Sequence, residues 1–319
     1  MTVITTPQDF DEQDLFVDLT PLVRERLFLK VEGFNFAGSI KLRTAAAMVD
    51  AAERNGVLRP DSVLVESTSG NLGVALATIA ASKGYRFECV TDDRCNSSAL
   101  RTMKALGARV HVVTEPLLDG GLLGARLALV RTMCAMDEKY VWLDQYRSAA
   151  NWQAHFRATA PAIVREFPEL DVLFVGAGTT GTLMGCARFL RQRRRPVRII
   201  AVDAVGSVTF GGPSRHRCLP GLGAGVVPPM LDQRYVDEVL LVEETETVAA
   251  CRQLARGGFL FGGSTGTVVH GAVRWLAEHG TPSTTAVAIA PDLGGRYLDT
   301  VYDPTWVDEN LGKRVAESA

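Results

Sequence analysis

Short apolar runs alternate with longer helical runs along most of this chain, and that alternation limits the fold more than any other feature. The apolar runs fall at residues 27–31, 62–66, 86–91, 109–114, 140–143, 172–175, 197–203, 238–242 and 286–290. Helical patterns fill the gaps, at 42–52, 72–83, 97–106, 121–136, 151–166, 182–192, 244–256 and 267–279. Strands of this kind, apolar on both sides and separated by helices, predict parallel sheets covered by helices on both faces. The expected fold class is α/β, with two three-layer αβα domains and mainly parallel sheets. With 319 residues the chain is long enough for two. The division is expected near residues 145–150, giving a smaller domain of 35–145 and a larger one made of 1–34 plus 146–319.

Ligands of open parallel sheets bind at the carboxyl ends of strands, often in the loops that open the next helix. Three such loops are rich in glycine and hydroxyls. Ser67-Thr68-Ser69-Gly70-Asn71 suits a carboxylate, with free backbone N–H groups and three hydroxyls, although a plain capped turn has the same outline. Gly176-Ala177-Gly178-Thr179-Thr180-Gly181 has the form G-x-G-x-x-G. The strand after it ends in an acid, Asp203, which is the spacing of a dinucleotide site. An NAD-dependent oxidoreductase is therefore one reading. The hydroxyls of Thr179, Thr180 and Thr182 suit a terminal phosphate monoester better, and the unit lies mid-chain rather than at a domain start. In Gly262-Gly263-Ser264-Thr265-Gly266 a hydroxyl could meet a heterocyclic nitrogen, or simply cap a helix.

A fourth stretch, Asn35 to Arg43, sets Lys41 at the start of a helix, with Ser39 as the expected N-cap. A cation there opposes the helix dipole, and the same field lowers an amine's pKa, as a nucleophilic lysine needs. A Schiff-base lysine, a phosphate cup, a carboxylate loop and a hydroxyl for a ring nitrogen together describe a pyridoxal 5′-phosphate site.

These motifs resemble the cysteine synthase and cystathionine β-synthase family of fold type II pyridoxal-phosphate enzymes, whose fold is like that of the tryptophan synthase β chain. The matching pieces are Ser39-Ile40-Lys41, Thr68-Ser69-Gly70-Asn71-Leu72-Gly73, the run Met103 to Ala108, Gly178-Thr179-Thr180-Gly181-Thr182, the run Gly221 to Gly225, and Gly263-Ser264-Thr265-Gly266. The resemblance implies Lys41 as the Schiff-base lysine. It gives Asn71 to the cofactor's phenolic oxygen and Gly178, Thr179, Thr180, Gly181 and Thr182 to its phosphate. Ser264 falls to the ring nitrogen, where a neutral hydroxyl would leave the ring less protonated. Thr68, Ser69, Asn71 and Gln145 would take the substrate carboxylate. The phosphate cup departs from the family's G-T-G-G-T, because Thr180 stands where a glycine is common.

A second set of pieces resembles the branch that makes N-(2-amino-2-carboxyethyl)-L-glutamate from O-phospho-L-serine and L-glutamate, towards L-2,3-diaminopropionate in siderophore or antibiotic pathways. They are the run Gly120 to Arg126, Gln145-Tyr146, the run Val205 to Gly212 and the run Arg296 to Tyr302. In that reading Arg126 grips the substrate phosphate, since a guanidinium fork suits phosphate oxygens. Its alternative is an ordinary exposed helix arginine. Tyr146 would position the second substrate. A cysteine synthase using O-acetylserine or O-phosphoserine with sulfide stays open.

Composition narrows the partners. Net charge of −2 gives no reason to expect nucleic acid or an anionic membrane. The basic run at 191–195 is read as a solvated helix end before Pro196. The six cysteines and five histidines show no metal or redox spacing, so no metal is expected. No apolar run approaches membrane length and no leader pattern is present. A cytoplasmic enzyme acting on small amino acids is expected, and a homodimer by resemblance.

Overall fold

The computed structural model describes residues 3–10, 14–93, 95–118 and 121–315. Gly120, which opens one of the branch motifs, lies outside them. The chain divides into two compact units. The first holds Asn35–Asn151 with a 3-10 turn at Pro7–Asp9, and the second holds the segment ending at Phe34 with the chain from Trp152 onward.

The elements run in order β1 (Phe16–Asp18), α1 (Thr20–Val23), β2 (Leu27–Val31), α2 (Lys41–Arg54), β3 (Val63–Ser67), α3 (Asn71–Lys83), β4 (Arg86–Asp92) and α4 (Ser97–Ala105). Then come β5 (Arg109–Val113), α5 (Gly121–Met136), β6 (Tyr140–Trp142), α6 (Ala149–Arg157), α7 (Thr159–Glu166), β7 (Val172–Gly176) and α8 (Gly181–Gln192). The rest are β8 (Arg198–Ala204), β9 (Glu238–Val242), α9 (Glu244–Arg256), α10 (Gly263–His279), β10 (Ala286–Ala290) and α11 (Pro304–Val315).

The first unit is built on a parallel sheet in the order β5-β4-β3-β6. Its middle strand β3 is buried at every residue, as an apolar run covered on both faces must be. Helix α3 is buried along most of its length, and Leu72, Leu76 and Ile79 join Leu64, Met48 and Met103 in one core. The second unit is built on β1-β2-β10-β7-β8-β9. All its pairs are parallel except β1 with β2, where Val17 opposes Leu29. Its core gathers Leu27, Leu29, Phe174, Ile200, Val202, Val268 and Trp275.

Each sheet has one place where strand order reverses. In the first, β3 leads outward to β4 and β5, while β6 returns on the other side of β3. In the second, β7 leads to β8 and β9, while β10 returns on the other side of β7. Adjacent loops diverge at such switch points and leave room for a ligand. The loops after β3 and β6 meet the first, and those after β7 and β10 the second.

The expected single helix over 151–166 is two helices. Ala158 takes φ −125° and ψ −63°, between α6 and α7. Pro161 explains the break. Within a continuous helix its ring would crowd the Arg157 carbonyl, whereas near the start of a new helix it needs no partner. The last glycine-rich loop is shorter than expected, because α10 begins at Gly263 and already contains Ser264. Helix α11 and strand β1 lay outside the sequence pattern of strands and helices. Among the described residues no helix is long and apolar enough to cross a membrane.

Candidate active site

The first unit presents Lys41 as the first residue of α2. The turn before it is closed by Asn35, whose side chain accepts from Ala37 N at 3.0 Å and donates to the Ser39 carbonyl at 2.9 Å. Ser39 is fully buried, and its Oγ accepts from Lys41 N at 3.4 Å. The helix starts one residue later than a Ser39 cap requires, with Ile40 in helical geometry. Burial alone would have singled out another lysine. Lys30 is fully buried in β2, but it lies 3.5 Å from Glu32 and over the Phe16 ring, as a structural charge does.

The hydroxyl loop leaves β3 at the first switch point. Thr68 is buried, Ser69 and Asn71 are half-buried, and α3 starts at Asn71. The residue before the helix is Gly70, which has no side chain to cap with, and Thr68 Oγ accepts from Gly70 N at 3.5 Å. The buried Ser67 Oγ has no hydrogen-bond partner. Gly73 lets α3 approach closely, since a Cβ there would lie 2.5 Å from Met103 Sδ and 3.0 Å from Thr68 Cγ2.

Beneath the loop lies a buried polar chain that the sequence reading missed. Glu66 accepts from Ser67 N at 2.9 Å, Trp142 Nε1 at 3.0 Å and Gln145 N at 3.2 Å. Burial pushes its carboxyl up to about 7, although these N–H donors pull the other way. Gln145 Nε2 donates to the Ser67 carbonyl at 3.3 Å, and the Gln145 carbonyl accepts from Asn151 Nδ2 at 2.8 Å. Thr44 donates to Asn151 Oδ1 at 3.4 Å. One turn beyond Lys41, α2 is thus tied through Asn151 and Gln145 to the hydroxyl loop. Gln145 and Tyr146 sit together in the turn after β6, where Asp144 takes a positive φ of 47°.

Arg126 is on α5 and is not an exposed helix arginine. Its side chain is only 12% exposed, and its Nε lies 3.4 Å from Asp92 at the end of β4. That Nε makes no hydrogen bond, so the ion pair leaves donor capacity on the guanidinium unspent.

In the second unit the loop after β7 leads into α8 at the second switch point. Thr180 precedes the helix with φ 65° and ψ 6°, a left-handed conformation in which glycine is usual. It is buried, and its Oγ has no partner. Thr182 Oγ lies 3.3 Å from His155 Nε2, and His155 Nδ1 lies 3.1 Å from Thr159. A Cβ on Gly178 would lie 2.9 Å from the Gly221 carbonyl, and one on Gly221 would lie 2.2 Å from Ser264 Oγ. Gly221 therefore stands between the phosphate-type loop and Ser264, and only a residue without a side chain fits. Gly223 N bonds the Ala177 carbonyl at 2.8 Å and pins the two loops together.

Ser264, in the first turn of α10, is 4% exposed. The same Cβ on Gly221 would lie 3.7 Å from the hydroxyl of the buried Tyr297, which donates to Asp292 Oδ2 at 2.5 Å. Tyr297 belongs to the run Arg296 to Tyr302, but the sequence carried no signal for this contact. The dinucleotide reading loses its acid. Asp203 is fully buried, accepts from Ala204 N at 2.8 Å, and is pushed above the ordinary carboxyl range by burial. It is not presented to a ribose.

These features fit pyridoxal phosphate. A helix N-terminus with an unpartnered buried hydroxyl suits its phosphate. A cradle kept open by Gly178 and Gly221 suits the ring, with Ser264 at its edge.

Known proteins agree with this. The pyridoxal-phosphate dependent enzyme family matches residues 16–292. An N-(2-amino-2-carboxyethyl)-L-glutamate synthase of Cupriavidus metallidurans is 39% identical over 310 residues, which is 92% of this chain and 90% of that one. Among solved structures, O-ureido-L-serine synthase superposes with a TM-score of 0.87 at 30% identity, covering 97% of this chain and 96% of that one. The O-acetylserine dependent cystathionine beta-synthase of Helicobacter pylori gives 0.86 at 26% identity, covering 94% and 99%.

Proposed function

Because the chain belongs to the pyridoxal-phosphate dependent enzymes, and within them resembles β-replacement synthases, we propose that it replaces the phosphate of O-phospho-L-serine with the amine of L-glutamate. The products are N-(2-amino-2-carboxyethyl)-L-glutamate and phosphate, the former a precursor of L-2,3-diaminopropionate. The observation that carries this reading is the likeness, over nearly the whole chain, to the Cupriavidus synthase. The buried guanidinium of Arg126, with an unspent N–H, supports a phosphorylated first substrate.

Bound pyridoxal phosphate supplies an electrophilic carbon for amines and an electron sink for charge at the substrate Cα. The chain's own groups do the rest. Lys41 holds the cofactor covalently in the resting enzyme. Once released, its Nζ takes the Cα proton and later returns it. Asn71 holds the cofactor's phenolic oxygen. The N–H groups at the start of α8 and the hydroxyls of Thr179, Thr180 and Thr182 take the phosphate, with Gly178 and Gly181 allowing close approach. Ser264 faces the ring nitrogen. Thr68, Ser69, Asn71 and Gln145 bind the substrate carboxylate, and the Glu66 network keeps Gln145 in register with that loop. Arg126 binds the departing phosphate, and Tyr146 orients glutamate. The Cβ–O bond breaks, phosphate leaves, and a Cβ–N bond forms as the glutamate amine gives up a proton. The resemblance also implies a homodimer, which sedimentation would read directly.

The test is a spectral titration of the yellow holoenzyme. O-phosphoserine should change the visible spectrum, and glutamate should reverse the change with release of the coupled amino acid. Reversal by sulfide alone, or a response to O-acetylserine alone, would make the protein a cysteine synthase instead. Lys41→Ala should lose the covalent cofactor band. Arg126→Ala should lower kcat/KM for O-phosphoserine at least about tenfold more than for O-acetylserine, the value of one charge-assisted contact. Equal losses would remove Arg126 from phosphate binding.

A further inference from the structure

Helix α9 holds what stands on both sides of the contact between Gly221 and Ser264. On one side it grips the loop that carries Gly221. Glu244, buried at the start of α9, accepts from Cys218 N at 2.7 Å and from Leu219 N at 2.6 Å, both on Oε1. Bonds this short are of the kind a carboxylate makes with N–H groups. Cys218 and Leu219 also pack against the apolar cluster that holds Val248 and Cys251 of α9. Only Pro220, whose ring fixes φ, separates the gripped N–H of Leu219 from Gly221. Gly221 itself takes φ 114°, a conformation open to glycine. On the other side α9 carries α10. A Cβ on Gly266 would lie 2.3 Å from Cys251 Sγ and 2.8 Å from the Thr247 carbonyl, and Thr247 Oγ lies 2.8 Å from Thr267 Oγ. Ser264 stands in that same first turn of α10. One helix therefore sets the spacing between Gly221 and Ser264.

We propose that Glu244 is a positioning residue for the cofactor: by holding Cys218 and Leu219 it keeps Gly221 at the spacing from Ser264 and Gly178 that admits the ring. This rests on the reading that Gly178, Gly221 and Ser264 border the ring. Glu244 acts through the backbone and touches neither cofactor nor substrate. Downstream of Gly221 the loop is already tied, with Gly223 N on the Ala177 carbonyl at 2.8 Å. Glu244 supplies the upstream hold. Its effect is preorganisation. A loop displaced for nine-tenths of the time in the apoprotein would lower cofactor affinity about tenfold, because binding must first draw it back. What counts is an oxygen at that place, since two N–H groups converge on it.

The experiment pairs amide hydrogen exchange on the full-length apoprotein with titration by pyridoxal phosphate. Glu244→Ala should speed exchange at the Cys218 and Leu219 amides and weaken cofactor binding, each at least about tenfold. Glu244→Gln gives up the charge but leaves an oxygen for the two N–H groups, and should stay within about threefold of wild type in both measurements. If Glu244→Ala does not fold, Glu244→Asp carries the test, because it withdraws the carboxylate by one methylene and keeps the charge. Leu276→Ala, in the last turn of α10, is the control for stability alone: it should lower the melting temperature and leave cofactor affinity unchanged. Unchanged exchange at Cys218 and Leu219 overturns the proposal, and so does faster exchange with unchanged cofactor affinity. A Glu244→Gln variant as impaired as Glu244→Ala, or an equal loss of affinity in Leu276→Ala, also overturns it. Gly221→Ala separates the two levels. If that variant folds and binds pyridoxal phosphate as wild type does, Gly221 does not border the ring, and the underlying reading fails along with this one.

Discussion

Thr180 shows what a single residue can hide from sequence. It stands where a glycine is common, and the structure gives it a glycine-like backbone, φ 65°, with a buried hydroxyl that has no partner. Left-handed geometry in a β-branched residue costs on the order of 1–2 kcal/mol, and an unpaired buried hydroxyl adds to that. Such a cost is reasonable where the hydroxyl has a ligand to meet. Thr180→Gly should therefore stabilise the cofactor-free protein by about 1 kcal/mol, after allowing for glycine's extra entropy when unfolded. It should also weaken binding of pyridoxal phosphate. Thermal melts of the apoprotein and cofactor titrations check both, and an apoprotein made less stable would show that the threonine is not strained. Ser264 makes the same point. Its residue type and position were legible, but Tyr297, which shares the space around Gly221 with it, and Asp292, which Tyr297 bonds, lie 33 and 28 residues further on, and only folding brings them together.

Among the elements, α6 and α8 pack closely at Gly185. A Cβ on Gly185 would sit 2.3 Å from the Trp152 carbonyl and 2.7 Å from His155 Cβ. The glycine lets the helix that opens at Gly181 lie against α6, which brings His155 within 3.3 Å of Thr182. Gly185→Val should destabilise the protein by about 3 kcal/mol or more, since backbone cannot yield as a side-chain tip can. It should also weaken cofactor binding by tilting the N-terminus of α8. Denaturant midpoints and cofactor titrations measure the two effects, and an unchanged midpoint would refute the close packing. Nothing in the alternation of strands and helices marks Gly185, because a small residue inside a helix also reads as a tolerated defect. The break at Ala158 was legible in principle, since Pro161 cannot sit in a continuous helix without displacing a carbonyl.

For the whole molecule, the buried carboxyls set how stability follows pH. Burial raises Glu66 to about 7 and also raises Asp203 and Glu244. A carboxyl whose pKa is higher in the fold than in the unfolded chain holds its proton more tightly when folded. Its contribution is complete below the ordinary carboxyl value and is lost as pH rises through the folded value. For Glu66 this is worth up to ~3 kcal/mol between about pH 4.5 and 7. Asp203 and Glu244 add in the same direction. Urea unfolding should show lower stability near pH 8 than near pH 5, with a shallower decline in Glu66→Gln. Stability that rises over this window would show that Glu66 is ionised throughout in the fold. The variant should also raise KM for the amino-acid substrate more than it lowers kcat, because an amide cannot accept all of the N–H groups that hold Gln145.

The sequence by itself determined the α/β class, the parallel sheets, the loops that open α3, α8 and α10, and Lys41 at a helix start. All of these are local. Periodicity, turn residues and a charge near a helix end act over a few residues, so they can be read in order along the chain. Tertiary structure alone decided that Lys30 is structural, that Asp203 is buried away from any ribose, and that Arg126 lies beside Asp92. It alone joined Thr44, Asn151, Gln145 and Glu66, and Thr265, Tyr297 and Asp292. Those links depend on strand order at the two switch points. Strand order is set by the packing of whole layers, which no short stretch of sequence records.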